Sequence, residues 1–231
     1  MTRLSDLLAD LGALPRAVQV TGVERLTPAF TRVTLAAESF RRTAWTPGAK
    51  LQIRLRSAFR TYTPIGWDGD RGATDLLAFA HGSGPAAQWF GRVASGETCQ
   101  VFGPRRSIDL SEVAGPVVFV GDESSVALAC ALRTVTADVT HVLEARDPGE
   151  VEKVLTGLGF AGPATVVART TDRAELLRRA RDAAVATPFT LVVTGDAATV
   201  HAVRRDSRSW ECRPGRVQGK AYWAEGRTGL D

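Results

Sequence analysis

The 231-residue sequence predicts an all-β antiparallel barrel over residues 1–111 followed by an α/β doubly wound domain over residues 112–231. Three observations carry this. In the first half, short alternating runs are separated by Pro- and Gly-rich turns, with no helical period among them. In the second half, continuous apolar runs alternate with helical ones. Residues 111–115 are small and polar and mark the change. Length alone fits one domain or two, so the pattern decides for two.

In chain order, residues 5–14 predict a short helix with Ser5 as N-cap and Leu7, Leu8 and Leu11 on one face. Strands are expected at 17–21, 30–35, 51–56 and 76–80. Residues 103–107 (Gly-Pro-Arg-Arg-Ser) read as a turn. The apolar run 117–120 is a strand of the kind buried on both faces, and a helix follows through Val126, Leu128, Leu132 and Val135. Strands at 141–145, 164–168 and 189–194 alternate with helices at 148–157, 172–186 (Asp172 as N-cap) and through His201 and Arg205. Residues 220–223 form the last strand. In such a sheet, ligands bind at the carboxyl ends of the strands, where Gly121 and Gly195 lie.

Totals and motifs bound the function. No apolar run approaches the roughly 18 residues of a membrane helix, and Asp6 and Asp10 interrupt the N-terminal apolar stretch, which points to the cytoplasm. Cys99, Cys130 and Cys212 are widely spaced and read as free thiols. The net charge of +4 favours an anionic partner, but its arginines are dispersed and no nucleic-acid-binding motif accompanies them. Neither a phosphate-binding Walker loop nor a Gly-x-Ser-x-Gly nucleophile elbow is present. The three histidines are scattered, so no protein-held metal is expected, and any chemistry falls to an organic cofactor.

Two stretches suit such a cofactor. In Arg60-Thr61-Tyr62-Thr63, a guanidinium can grip a pyrophosphate while a phenol two residues on, along the same strand face, lies against a planar ring such as a flavin. The run from His81 and Gly82 through Gly84, Pro85, Ala86 and Ala87 leads a strand into a helix start, whose free N–H groups and positive dipole suit a phosphate. A plain strand-to-helix turn explains the second stretch equally well.

Together with Gly103-Pro104, Gly121-Asp122-Glu123, Gly195-Asp196 and the closing Lys220-Ala221-Tyr222-Trp223-Ala224-Glu225-Gly226, these stretches resemble the siderophore-interacting proteins, FAD-dependent ferric-siderophore reductases of the ferredoxin–NADP reductase superfamily. The resemblance implies an FAD-binding β-barrel domain at 1–111 and an NAD(P)H-binding domain at 112–231. It implies that Arg60 holds the FAD pyrophosphate, Tyr62 stacks on the isoalloxazine and Thr63 hydrogen-bonds near N5. His81, Gly82, Gly84, Pro85, Ala86 and Ala87 would serve the phosphates. Gly121, Asp122 and Glu123 would border the nicotinamide, with Thr63, Asp122 and Glu123 as the catalytic set, and Gly195 and Asp196 would complete the nucleotide site. Arg169, or less directly Arg173, would meet the adenosine ribose phosphate, and Trp223 would pack near the flavin unless it serves as a core aromatic.

The expected reaction is NADPH- or NADH-dependent reduction of an anionic ferric siderophore by a monomer, with Lys50, Arg54, Arg106 and Lys220 as a basic rim. A general flavin or ferredoxin-type reductase and a non-catalytic siderophore-binding protein are the alternatives. The chain departs from the family pattern at Ala127, where a proline is common, and at Gln52, where a basic residue is often found.

Overall fold

A computed structural model describes residues 14–55, 58–80, 82, 84–160, 162–185 and 188–226. The expected helix at 5–14 falls, but for its last residue, outside them, as does His81. The chain divides into two compact units, Met1–Ser111 and Glu112–Asp231.

The first unit is one seven-stranded antiparallel sheet: β1 (Arg16–Arg25), β2 (Phe30–Ala36), β3 (Lys50–Leu55), β4 (Ala58–Tyr62), β5 (Pro64–Asp68), β6 (Ala73–Phe79) and β7 (Thr98–Arg105). Its spatial order is β4-β3-β7-β1-β2-β6-β5. The two end strands are consecutive in the chain and joined by Thr63 alone. One residue spans only about 7 Å between the flanking Cα atoms. The sheet therefore has to curl until its ends meet, and Thr63 is the seam.

Alternation fills the interior: Val18, Val20, Val33, Leu35, Leu51, Ile53, Leu76 and Val101 are buried in one cluster. Each buried branched side chain contributes about 1.5–3 kcal/mol. Helix α1 (Pro85–Arg92) adds Phe90 to this core. The expected turn at 103–107 is corrected, because Gly103, Pro104 and Arg105 belong to β7. Gly103 adopts φ +107, and β7 carries an extra residue against β3 between the pairs Lys50↔Arg105 and Gln52↔Phe102. A bulge with Gly at positive φ resembles a turn in sequence but keeps the ladder going.

The second unit is a five-stranded parallel sheet of order β10-β9-β8-β11-β12. Its strands are β8 (Val117–Asp122), β9 (Val139–Ala145), β10 (Ala164–Ala168), β11 (Thr190–Asp196) and β12 (Arg216–Trp223). The crossovers carry α2 (Val126–Arg133), α3 (Pro148–Gly157), α4 (Ala174–Asp182) and α5 (Ala197–Asp206). The central strand β8 and its neighbour β11 are buried at every residue, which is why they read as apolar runs. From β8 the chain steps outward to β9 and β10, then crosses back to β11 on the other side of β8, so the strand order reverses between β8 and β11. That reversal opens a crevice at the strands' carboxyl ends.

Helix α4 starts two residues later than expected. Arg173, not Asp172, occupies the N-cap position, at φ 56, while the Asp172 carboxylate accepts a hydrogen bond from the Ala174 N–H at 3.2 Å. Among the described residues, no helix is long and apolar enough to cross a membrane, and no cluster of three His, Cys, Asp or Glu side chains suits a metal ion.

Candidate functional site

In the first unit, the seam displays the residues singled out from sequence. Arg60 pairs with Ile53 and Tyr62 with Leu51, so both point to the face that carries the core. Thr61 pairs with Gln52 on the opposite face. At the barrel's end that inner face opens to solvent: Arg60 is exposed, and Tyr62 and Thr63 are half-buried. The Arg60 guanidinium donates only to its neighbour's Phe59 carbonyl, at 2.8 Å, and has no carboxylate partner among the described residues. A charged group left unpaired at a concave rim is available to an anion.

The Tyr62 ring packs edge-on to Phe90 at 5.0 Å, which ties the seam to α1. Burial pushes the phenol well above its ordinary range and the Arg60 charge counters only part of this, so Tyr62 stays a neutral hydroxyl. Helix α1 begins at Gly84 with Pro85 in its first turn and no acidic side chain there. Its first N–H groups, at Ala86 and Ala87, have no acceptor within the helix. A methyl added at Gly82 or Gly84 would meet nothing within 4 Å among the described residues, so neither glycine is packed against a neighbour. An unpaired guanidinium, a neutral phenol and an open helix start fit a flavin dinucleotide.

The residues expected to form a basic rim belong to both units. Lys50 and Arg54 lie on the β3 face opposite the one that Arg60 and Tyr62 share, and Arg54 donates to Gln100 at 3.2 Å. Arg106 is exposed just past β7, and Lys220 lies on β12 in the second unit.

In the second unit, Asp122 sits at the end of β8, only 1% exposed. One carboxylate oxygen accepts from the Ser124 N–H (2.9 Å), the Ser124 hydroxyl (2.5 Å) and the Ser125 hydroxyl (3.3 Å). The other accepts from the Asp196 N–H (2.9 Å) and the Trp223 indole N–H (2.7 Å). Asp122 therefore fastens the ends of β8, β11 and β12 together. Burial pushes its carboxyl above the ordinary value, with the Ser124 and Trp223 hydrogen bonds pulling the other way.

Glu123 is equally enclosed. One oxygen accepts from the Arg146 N–H at 2.7 Å, and the other pairs with the Arg169 guanidinium. Glu144, on β9, accepts from the Thr199 hydroxyl at 2.7 Å and lies 3.7 Å from Arg169 Nε. Burial raises its carboxyl too, against the pull of Thr199 and Arg169. Asp196 caps α5 through the Thr199 N–H and pairs with Arg173 at 3.0 Å.

These contacts give the strand-end residues a structural part. The oxygens of Asp122 and Glu123, expected in the catalytic set, all accept from protein donors, so both carboxylates hold the strand ends in place. The glycines serve the same network. A Cβ at Gly121 would stand 2.5 Å from Ser125 Cβ, and one at Gly195 would stand 2.5 Å from Asp122 Cγ. Gly195 also has φ +112. Gly195→Ala is therefore expected to lower the unit's stability by about 2 kcal/mol through overpacking and backbone strain, read from its urea midpoint. Trp223 lies under the Arg169 guanidinium at 5.3 Å, bound to Asp122. Sequence reasoning passed over Glu144 and Thr199, although a glutamate inside the apolar run 142–145 was itself a signal.

Beside this network, a cleft of about 790 Å³ opens at the carboxyl ends of the strands, lined by Arg146, Arg169, Arg173, His201 and Trp223 among others. Its place at the reversal of strand order and its size suit a nucleotide.

Comparison with known proteins agrees with this geometry. Residues 43–108 match the family model described as the siderophore-interacting FAD-binding domain. The siderophore-interacting protein SipS from Aeromonas hydrophila superposes with a TM-score of 0.74 at 20% identity, covering 93% of each chain. A siderophore utilization protein from T. fusca gives 0.72 at 20% identity, over 94% of this chain and 95% of its own. A ferredoxin NADP+ reductase from Neisseria gonorrhoeae, solved with FAD and NADP, gives 0.67 at 14% identity, over 90% and 99%. No curated protein matches the sequence significantly. The chain has a ferredoxin reductase-like fold, and its first unit carries, over residues 43–108, the sequence of a siderophore-interacting FAD-binding domain.

Proposed function

We propose that the protein is an FAD-dependent reductase that draws electrons from NADPH or NADH and delivers them to iron(III) held by a siderophore. The observation that carries this reading is the unpaired Arg60 beside Tyr62 and the open start of α1, within a segment that matches a siderophore-interacting FAD-binding domain. The chemistry that FAD would supply when held here is the coupling of a two-electron hydride donor to a one-electron acceptor. Arg60 would grip the pyrophosphate, with the Ala86 and Ala87 N–H groups at the helix start as further donors. Tyr62, fixed by Phe90, would offer its ring to the isoalloxazine, and the Thr63 hydroxyl would reach its edge. In the second unit, the carboxylate network holds the strand ends that shape the nucleotide cleft. Iron(III) bound by a siderophore is the substrate; reduction weakens its hold by hard oxygen donors and frees it.

Arg60→Ala is expected to weaken FAD binding by about 1.5–3 kcal/mol, the scale of a hydrogen bond to a charged group. Titration of the apoprotein with FAD, followed by flavin fluorescence, reads this. Full retention of tightly held FAD would remove Arg60 from the site. Ferredoxin reductases share the fold, so stopped-flow reoxidation by a ferric siderophore and by ferredoxin decides the acceptor.

A further inference from the structure

Three arginines line the nucleotide cleft, and their surroundings separate them. Arg169 is paired with Glu123, lies 3.7 Å from both Asp122 and Glu144, and is covered on one side by Trp223. Arg173 spends its nitrogens on the Thr199 hydroxyl, the Thr171 carbonyl and the Asp196 carboxylate, at 2.8–3.0 Å. Arg146 differs from both. Its backbone N–H is fixed by Glu123, but its side chain is exposed and its guanidinium has no ion pair among the described residues.

Arg146 and Arg169 leave adjacent strand ends, since the Arg169 N–H bonds the Ala145 carbonyl at 2.8 Å. One carboxylate, Glu123, serves both residues, and it neutralises only Arg169. The neighbouring Asp147 carboxylate is engaged in capping α3 through the Glu150 N–H at 3.2 Å. We infer that Arg146, and not Arg169 or Arg173, is the residue that selects NADPH over NADH, by pairing with the phosphate on the adenosine ribose.

This inference rests on the proposed use of a nicotinamide nucleotide. A phosphate monoester near neutral pH carries close to two charges and offers oxygens that match the guanidinium fork. The already neutralised Arg169 has no charge left to reward that extra phosphate. Glu123 contributes as a positioning residue, because it anchors the backbone from which Arg146 projects.

The test uses the flavin-loaded protein with Arg146→Gln, Arg146→Lys and Arg169→Gln. Calorimetric binding of adenosine 2′,5′-bisphosphate is compared with that of 5′-AMP, and kcat/KM is measured for NADPH and NADH. Arg146→Gln is expected to lower bisphosphate affinity and the NADPH-to-NADH ratio by about 10- to 100-fold, the worth of one charge-assisted hydrogen-bond pair. Arg146→Lys should recover part of the loss. Arg169→Gln should impair both nucleotides alike. The inference is overturned if the wild-type protein binds the bisphosphate no better than 5′-AMP, or if Arg146→Gln leaves that preference intact. If neither NADPH nor NADH reduces the flavin, the proposed electron donor is wrong, and the bisphosphate arm still reads Arg146.

Discussion

Asp122→Ala is expected to destabilise the second unit by about 3–5 kcal/mol, the range for breaking a buried, fully bonded charge. The loss has two sources. Five donors from Ser124, Ser125, Asp196 and Trp223 would lose their acceptor in a place that water reaches poorly, and Arg169 would lose one of its three balancing carboxylates. Asp122→Asn separates acceptor chemistry from volume. Its amide NH2 would have to face an N–H or a hydroxyl that now donates, so it should cost nearly as much as alanine. Urea unfolding followed by the fluorescence of Trp210 and Trp223 measures both. An asparagine variant within about 1 kcal/mol of wild type would mean that the side chain merely fills space.

Acid should weaken the same unit through His141, by about 3 kcal/mol between pH 6.5 and pH 4. The imidazole is 1% exposed and packed between Phe119 at 5.6 Å and Phe160 at 4.7 Å, and among the described residues no group meets either ring nitrogen in full hydrogen-bond geometry. Arg133 lies over the same Phe160 ring at 4.5 Å. Burial lowers the imidazole to about 4; the Pro163 carbonyl opposes this, and the Arg133 charge adds to it. The unfolded chain takes up the proton near pH 6.5 and the folded one not until about pH 4. The neutral ring's contribution is thus intact above 6.5, declines as pH falls, and is gone below about 4. His141→Phe keeps an aromatic in the box and removes the titration. Stability–pH curves for wild type and His141→Phe should diverge across that window; parallel curves would reassign the acid sensitivity to the carboxylates.

The fold was legible wherever one period ruled a segment. The buried runs of β8 and β11 have no polar face, and the alternation of β2 and β3 is plain. β5 and β7 were harder, because Pro64 opens one and Gly103-Pro104 interrupts the other. A proline at a strand's first residue and a glycine bulge carry the same local signature as a turn, and only the partner strand distinguishes them.

The site was legible in position more than in role. Gly121, Asp122, Glu123, Gly195 and Asp196 all lie at the strand ends where the sequence puts them. The direction each side chain faces depends on partners far along the chain: Trp223 lies 101 residues from Asp122, and Arg169 lies 46 from Glu123. No local pattern encodes those pairings. Arg60 and Tyr62 were easier, because strand alternation alone puts both on one face.

The one-residue link at Thr63 also bears on how the first unit behaves in solution. An open sheet offers two rows of unpaired backbone groups on which another chain can add a strand. Here both terminal strands meet at the same residue, so the two edges share one corner and cannot separate there. The segment proposed to grip the cofactor is thereby also the corner at which the two edge strands of the sheet are held together.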